Sequence, residues 1–238
     1  MSEPGAHTAY ILHRRPYRET SLLVELFSRD SGRVGAVARG GRKPRKGAPP
    51  LEPFRPLQVS WAGKGDLRTL RETEPEGQAV PLAGEALYLG FYVNELLLRL
   101  CPRFDPYPWV FSAYTATLQA LAAGERDAAL RRFETGLLRE LGLAPEWDRC
   151  GGCGAAVDAG AWYGWEAERG PLCAGCAREG RPYRGSSLLF LAGHEPGDED
   201  VRRQARDLMR AALAPHLGPR PLESRALLRS VRQQGSGS

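Results

Sequence analysis

The stretch Thr20-Ser21-Leu22-Leu23-Val24-Glu25-Leu26-Phe27, with Gly32-Arg33-Val34-Gly35-Ala36-Val37-Ala38-Arg39 after a short break, decides how the first third of this chain folds. The first run is apolar-rich, with Glu25 its only charge. The second sets Val34, Ala36 and Ala38 against Arg33, Gly35 and Val37. Alternation with period two is a strand signal, because successive side chains point to opposite faces. Working outward, residues 8–12 form another short apolar run. Residues 57–61 and 66–72 flank a Gly63-Lys64-Gly65 turn. Five short strands with Gly and Pro between them predict a small antiparallel barrel, and five strands are what an OB-fold needs. Residues 40–56, with many Gly and Pro, are expected to form a mobile loop between the third and fourth strands.

From Pro81 the period changes. Residues 82–100 are apolar on nearly every face, with Leu87, Phe91 and Leu98 on one side and Leu89, Val93, Leu96 and Leu100 on another. That pattern predicts a helix buried among other helices. Cys101 follows it and is expected to be a buried packing residue. A second helix should open on Pro108 and reach about residue 123. A third, over 126–141, carries Leu130, Phe133, Leu137, Leu138 and Leu141 at helical spacing, with Gly142 as its cap. Residues 181–197 read as a linker. Asp198-Glu199-Asp200 then opens a helix, carboxylates at its positive end, with Val201, Ala205, Leu208 and Ala212 as its apolar stripe. Arg202, Arg206 and Arg210 stand four apart on the other side. A last helix is expected over about 223–232.

Between the helical segments lie Cys150, Cys153, Cys173 and Cys176: C-x2-C, nineteen residues, then C-x2-C. Four thiolates in two pairs can close a tetrahedron around one structural Zn2+. Gly151, Gly152, Gly154 and Gly175 stand where the two knuckles must turn. Two disulfides in an exported fold are the alternative, but residues 1–10 carry no apolar leader core and no apolar run approaches membrane-spanning length. The chain is therefore expected in the cytoplasm. Four thiolates leave no coordination position open for water, so the metal is expected to hold shape. The Trp162-Tyr163-Gly164-Trp165 cluster is expected to pack the small core of this module. The plan is an α+β multidomain chain. An OB-fold barrel occupies 1–80, an α-helical domain 81–147 with 181–238, and the inserted zinc module 148–180.

The net charge of +5 is unevenly spread. Residues 1–80 are net +5 and 181–238 net +4, whereas 81–147 and 148–180 are each net −2. Arg33, Arg39, Arg42, Lys43, Arg45 and Lys46 fall within fourteen residues containing no acid. A basic loop beside a barrel face can follow a phosphate backbone and release its counterions. Arg14 extends that surface, and Tyr17 could stack on a base. Arg202, Arg206 and Arg210 are candidate additions. Enzymatic signals are weak. None of the four histidines forms H-E-x-x-H, and no G-x-x-x-x-G-K-[ST] loop occurs. A DNA-binding protein that is not an enzyme is the expected class. An RNA-binding OB and zinc-ribbon module is the alternative, and a ligase fragment a third reading that lacks its nucleophilic lysine motif.

Several stretches together resemble one family. They are residues 10–22 (YILHRRPYRETSL), Gly32-Arg33 leading into Ala38-Arg39-Gly40, and Leu51-Glu52-Pro53-Phe54. Further on come residues 87–97 (LYLGFYVNELL), Arg131-Arg132-Phe133-Glu134 with Leu137-Leu138, and Leu222-Glu223-Ser224-Arg225. In this order they are similar to the RecO family of bacterial recombination mediators and DNA-repair proteins. The resemblance implies an OB-fold, a helical domain and a zinc module that some members lack. It implies binding of single- and double-stranded DNA and annealing of complementary strands in the RecFOR pathway. The implied partners are RecR, single-stranded-DNA-binding protein (SSB) and, indirectly, RecA, at the nucleoid.

Overall fold

The structure is a computed structural model that describes residues 5–43, 49–178, 182–194 and 197–235. The chain packs as two compact units, residues 1–124 with 221–238, and residues 125–220. The first unit holds five strands: β1 (His7–Tyr17), β2 (Ser21–Ser28), β3 (Gly32–Ala38), β4 (Pro56–Ala62) and β5 (Leu67–Pro75). They close into a barrel of order β1-β2-β3-β5-β4, an OB-fold. All pairs are antiparallel except β3 with β5, which run parallel from Gly35–Leu67 to Val37–Thr69. The alternation in β2 and β3 does what its period requires. Leu22, Val24, Leu26, Val34, Ala36 and Ala38 fill the barrel with Ile11, Leu57, Val59 and Leu70.

β1 continues past the expected end at Leu12 as far as Tyr17. The register shifts between Ile11 and His13, and beyond this bulge Arg14, Arg15, Pro16 and Tyr17 stay paired to β2. A bulge leaves a backbone group out of the ladder. The carbonyl of Leu12 is met by Asn94 Nδ2 at 2.9 Å, and Asn94 Oδ1 accepts from the Tyr114 hydroxyl at 2.8 Å. Asn94 lies on α1 (Glu85–Leu100) and Tyr114 on α2 (Pro108–Ala122). This buried relay therefore joins both helices to the barrel, and burial pushes the Tyr114 hydroxyl pKa well up. Phe111 and Tyr114 pack on Tyr10 and Phe27 with ring centroids 5.0–6.1 Å apart. Gly90 lets α1 approach Phe54, because a Cβ there would stand 3.0 Å from the Phe54 ring and 2.6 Å from Leu82. Cys101 is buried, and burial raises its thiol to about 12. The last helix, α6 (Glu223–Gly235), returns to pack on α1.

The second unit holds α3 (Arg126–Glu140), β6 (Trp162–Glu166), β7 (Gly170–Leu172), β8 (Tyr183–Arg184), α4 (Gly185–Ala192) and α5 (Glu199–Leu213). The two units divide the helical segment 81–147 at Gly124 and Glu125. α5 follows its apolar stripe, burying Val201, Ala205, Leu208 and Ala212, and Asp198 Oδ1 caps the Val201 amide at 2.8 Å. The expected linker over 181–197 is corrected: it contains β8 and α4. Its apolar run Leu188-Leu189-Phe190-Leu191 is too short to display a period, yet Leu188 and Leu191 are buried where α4 packs on α5. Gly193, at φ 86°, ends that helix in the left-handed region.

Candidate metal centre and nucleic-acid face

The metal centre is assembled by two knuckles. In the first, Cys150 N donates to Ala155 O and Gly154 N to Cys150 O, both at 2.8 Å, and Gly154 takes φ 74°. In the second, the amides of Cys176 and Ala177 both reach Cys173 O at 2.9 Å. Close approach explains two of the glycines. A Cβ at Gly151 would fall 1.6 Å from Arg169 O, and one at Gly152 would fall 2.7 Å from Cys176 Cβ. Gly175 has open space around it and no such constraint.

Four Sγ atoms, from Cys150, Cys153, Cys173 and Cys176, lie within 4.8 Å of one another. The residues fit a tetrahedral metal. Zn–S bonds of about 2.3 Å imply S···S edges of about 3.8 Å. Cys153 and Cys173 stand 3.8 Å apart, too far for a disulfide. Burial raises the Cys150 thiol, but the amides of Cys173, Cys153 and Gly152 outweigh it and bring the thiol down to about 6. The amides of Gly152 and Cys173 lie 3.4 and 3.3 Å from its sulfur. Neighbouring thiols push Cys176 up to about 12. By geometry and donor chemistry the four thiols are positioned to bind a metal ion.

The aromatic cluster divides. Tyr163 is buried, its hydroxyl accepting from Asp158 N at 2.8 Å, and Trp165 stacks on Trp147 at 5.4 Å, as packing requires. Trp162 is half exposed under the Arg184 guanidinium, 5.2 Å from its ring.

The basic face is on the barrel. Two concavities meet at Arg39 and Thr69. One, of about 600 Å3, opens beside Gly40, Gly41, Lys43, Leu51, Leu70 and Arg71. The other, of about 640 Å3, lies between the β1–β2 turn (Tyr17, Arg18, Glu19) and the wall made by Val37, Leu67 and Arg68. Arg14, Arg18, Arg39, Arg42, Lys43 and Arg71 are exposed, and Tyr17 is half-buried. Arg42 is tied to the β1–β2 turn, its guanidinium donating to Glu19 O at 3.0 Å. Arg14 lies 3.7 Å from Glu52 across solvent. Arg45 and Lys46 fall outside the described residues.

Two residues expected on the DNA face are engaged elsewhere. Arg33, at the start of β3, donates to Leu98 O at the end of α1, where a cation meets the carbonyl end of the helix dipole. Burial lowers its pKa. Arg206 places one guanidinium nitrogen 3.0 Å from both carboxylate oxygens of Asp127 on α3. Arg202 is exposed, and Arg210 is 3.5 Å from Asp207. Arg18, the end of the Arg14-Arg15-Pro16-Tyr17-Arg18 run, lines the second concavity, and Arg68 and Arg71 join the face although no dense basic run marks them in the sequence. The signal for Arg71 is in β5, where Leu67, Thr69 and Arg71 alternate onto the side of the sheet that carries Val37 and Arg39.

The fold and these sites define a two-unit OB-fold protein with a four-thiol metal centre. Residues 1–78 match the family described as Recombination protein O N terminal, and residues 82–226 match Recombination protein O C terminal. The DNA repair protein RecO of Alkalilimnicola ehrlichii is 50% identical, covering 94% of this chain and 90% of the relative. That of Halorhodospira halophila is 46% identical over 98% of this chain and 100% of the relative. That of Methylococcus capsulatus is 44% identical over 93% and 92%. The chain belongs to the RecO family of DNA repair proteins.

Proposed function

We infer that this protein is a recombination mediator that acts by holding DNA and performs no bond chemistry of its own. It binds single- and double-stranded DNA on the barrel, anneals complementary strands, and with RecR helps load RecA onto strands coated with SSB. The observation that carries this reading is the cluster of exposed cations around Arg39 on a closed OB barrel, next to apolar wall residues and Tyr17. Cations neutralise phosphates without reading sequence, and apolar or aromatic groups receive unpaired bases. Weak sequence preference and strong salt dependence follow.

The metal is zinc in this reading, held by Cys150, Cys153, Cys173 and Cys176. It supplies a cross-link between the two knuckles, and with four thiolates it keeps no site for water. Among the described residues no helix is long and apolar enough to cross a membrane. The place of action is the cytoplasm, at the nucleoid.

The test is annealing of complementary strands pre-coated with SSB, across a range of salt concentrations and with RecR and RecA loading as further steps. Faster pairing that weakens steeply with salt is expected. Pairing no faster than the SSB-coated strands achieve alone would sink the assignment.

A further inference from the structure

The basic face is double. β3 and β5 pair only from Gly35–Leu67 to Val37–Thr69, and beyond that register the ladder between them ends. Arg39 follows the last residue of β3 and lines the concavities on both sides. Each side has its own exposed cation and its own apolar wall. Arg71 goes with Leu51 and Leu70 on one side, and Arg18 with Val37 and Leu67 on the other. Glu19 is the one acid lining either concavity among the described residues. Both volumes, about 600 and 640 Å3, lie in the range of small-ligand clefts, so neither is a minor groove of the other.

We propose that the barrel holds two DNA strands at once, one in each concavity, with Arg39 facing both phosphate rows. This rests on the reading of the barrel face as the DNA site and adds to it the number of strands and the means of annealing. Two polyanions repel until their charge is neutralised or screened. A cation common to both rows lowers that repulsion where it is greatest. The separate cations Arg18 and Arg71 hold the strands side by side. Unpaired bases then meet at an effective concentration set by the barrel rather than by bulk solution. Binding one strand needs either concavity, whereas annealing needs both on one chain.

The experiment uses the full chain and two non-complementary oligothymidylate strands, one carrying a donor dye and one an acceptor. Energy transfer should appear in a complex of one chain with two strands and fall when excess protein separates them. Arg18→Glu and Arg71→Glu should each reduce the stoichiometry to one strand, with annealing slowed about tenfold and single-strand affinity reduced only a few-fold. Arg39→Glu should weaken both strands. One strand per chain in the unaltered protein overturns the proposal, as does energy transfer found only in complexes of two chains. Equal loss of both strands in the Arg18 and Arg71 variants also overturns it, since one strand would then thread both concavities. Filter binding of a single strand separates the two levels: no binding at all would sink the DNA reading itself, and with it this one.

Discussion

Glu95 on α1 caps the N-terminus of α6 through Ser224. Its Oε2 accepts from the Ser224 amide at 3.0 Å and from the Ser224 hydroxyl at 2.6 Å, while Oε1 accepts from the Glu223 amide at 3.1 Å. The first amides of a helix have no partner within it, and a carboxylate there also meets the positive end of the dipole. The cap thus comes from a residue 129 positions away and ties the C-terminal helix to the first unit. Glu95→Ala should destabilise that unit by about 1–2 kcal/mol. Glu95→Gln should lose less, because it keeps an acceptor. Denaturant unfolding checks both, and equal stability of Glu95→Ala and the parent would show that the cap carries nothing.

Arg131 and Glu134 form a buried ion pair on α3, with Nε 2.6 Å from Oε2 and Nη2 donating a hydrogen bond to Oε1 at 2.9 Å. Removing one partner of such a pair strands the other charge in the interior. Arg131→Met should cost about 3–5 kcal/mol, while changing both residues to apolar ones should recover much of that loss. Thermal unfolding of the single and double variants provides the comparison.

Cys150→Ser should lower stability and metal content while leaving the affinity of the folded fraction for single strands within about twofold, since the basic face is on the barrel. Zinc content, unfolding and strand binding measured on one preparation decide it. A folded variant that lost DNA binding would falsify the structural role of the metal.

Cys101, buried in the first unit, should resist thiol reagents in the native, metal-free protein while the exposed Cys153 reacts. Burial holds the Cys101 pKa at about 12. The sign follows from the raised value: folding favours the neutral thiol, so this contribution is complete below the ordinary thiol range. It declines as pH rises through that range toward 12, because the unfolded chain ionises first. Counting labelled cysteines by mass before and after denaturation is the check.

Arg39→Glu combined with Arg71→Glu should weaken single-strand binding and flatten its salt dependence, by about 0.7 in slope for each phosphate no longer neutralised. Arg206→Glu should act differently. It breaks the ion pair with Asp127 and lowers stability by about 1 kcal/mol, with the salt slope unchanged. Fluorescence anisotropy across a salt series separates the two effects.

The sequence by itself determined the strands, the long helices and the thiol cluster, because these are written in local periods and spacings. Val34, Ala36 and Ala38 alternate, Val201, Ala205, Leu208 and Ala212 recur at helical spacing, and the first of two C-x2-C pairs carries glycines where the chain crowds. The acid-free run of cations over 33–46 also marked the barrel. What each cation does was decided only in three dimensions. Arg33 and Arg39 belong to one short stretch and read alike in sequence. Arg33 is drawn to Leu98 O because the end of α1 lies against it, whereas Arg39 lies beyond the end of β3 and is exposed. Arg71 entered the same face because β5 pairs in parallel with β3, over thirty residues away in the chain. α4 was invisible because four apolar residues in a row show no period until α5 covers one side of them. Periodicity and spacing are properties of neighbours along the chain. Whether a charge reaches solvent depends on what long-range packing lays over it.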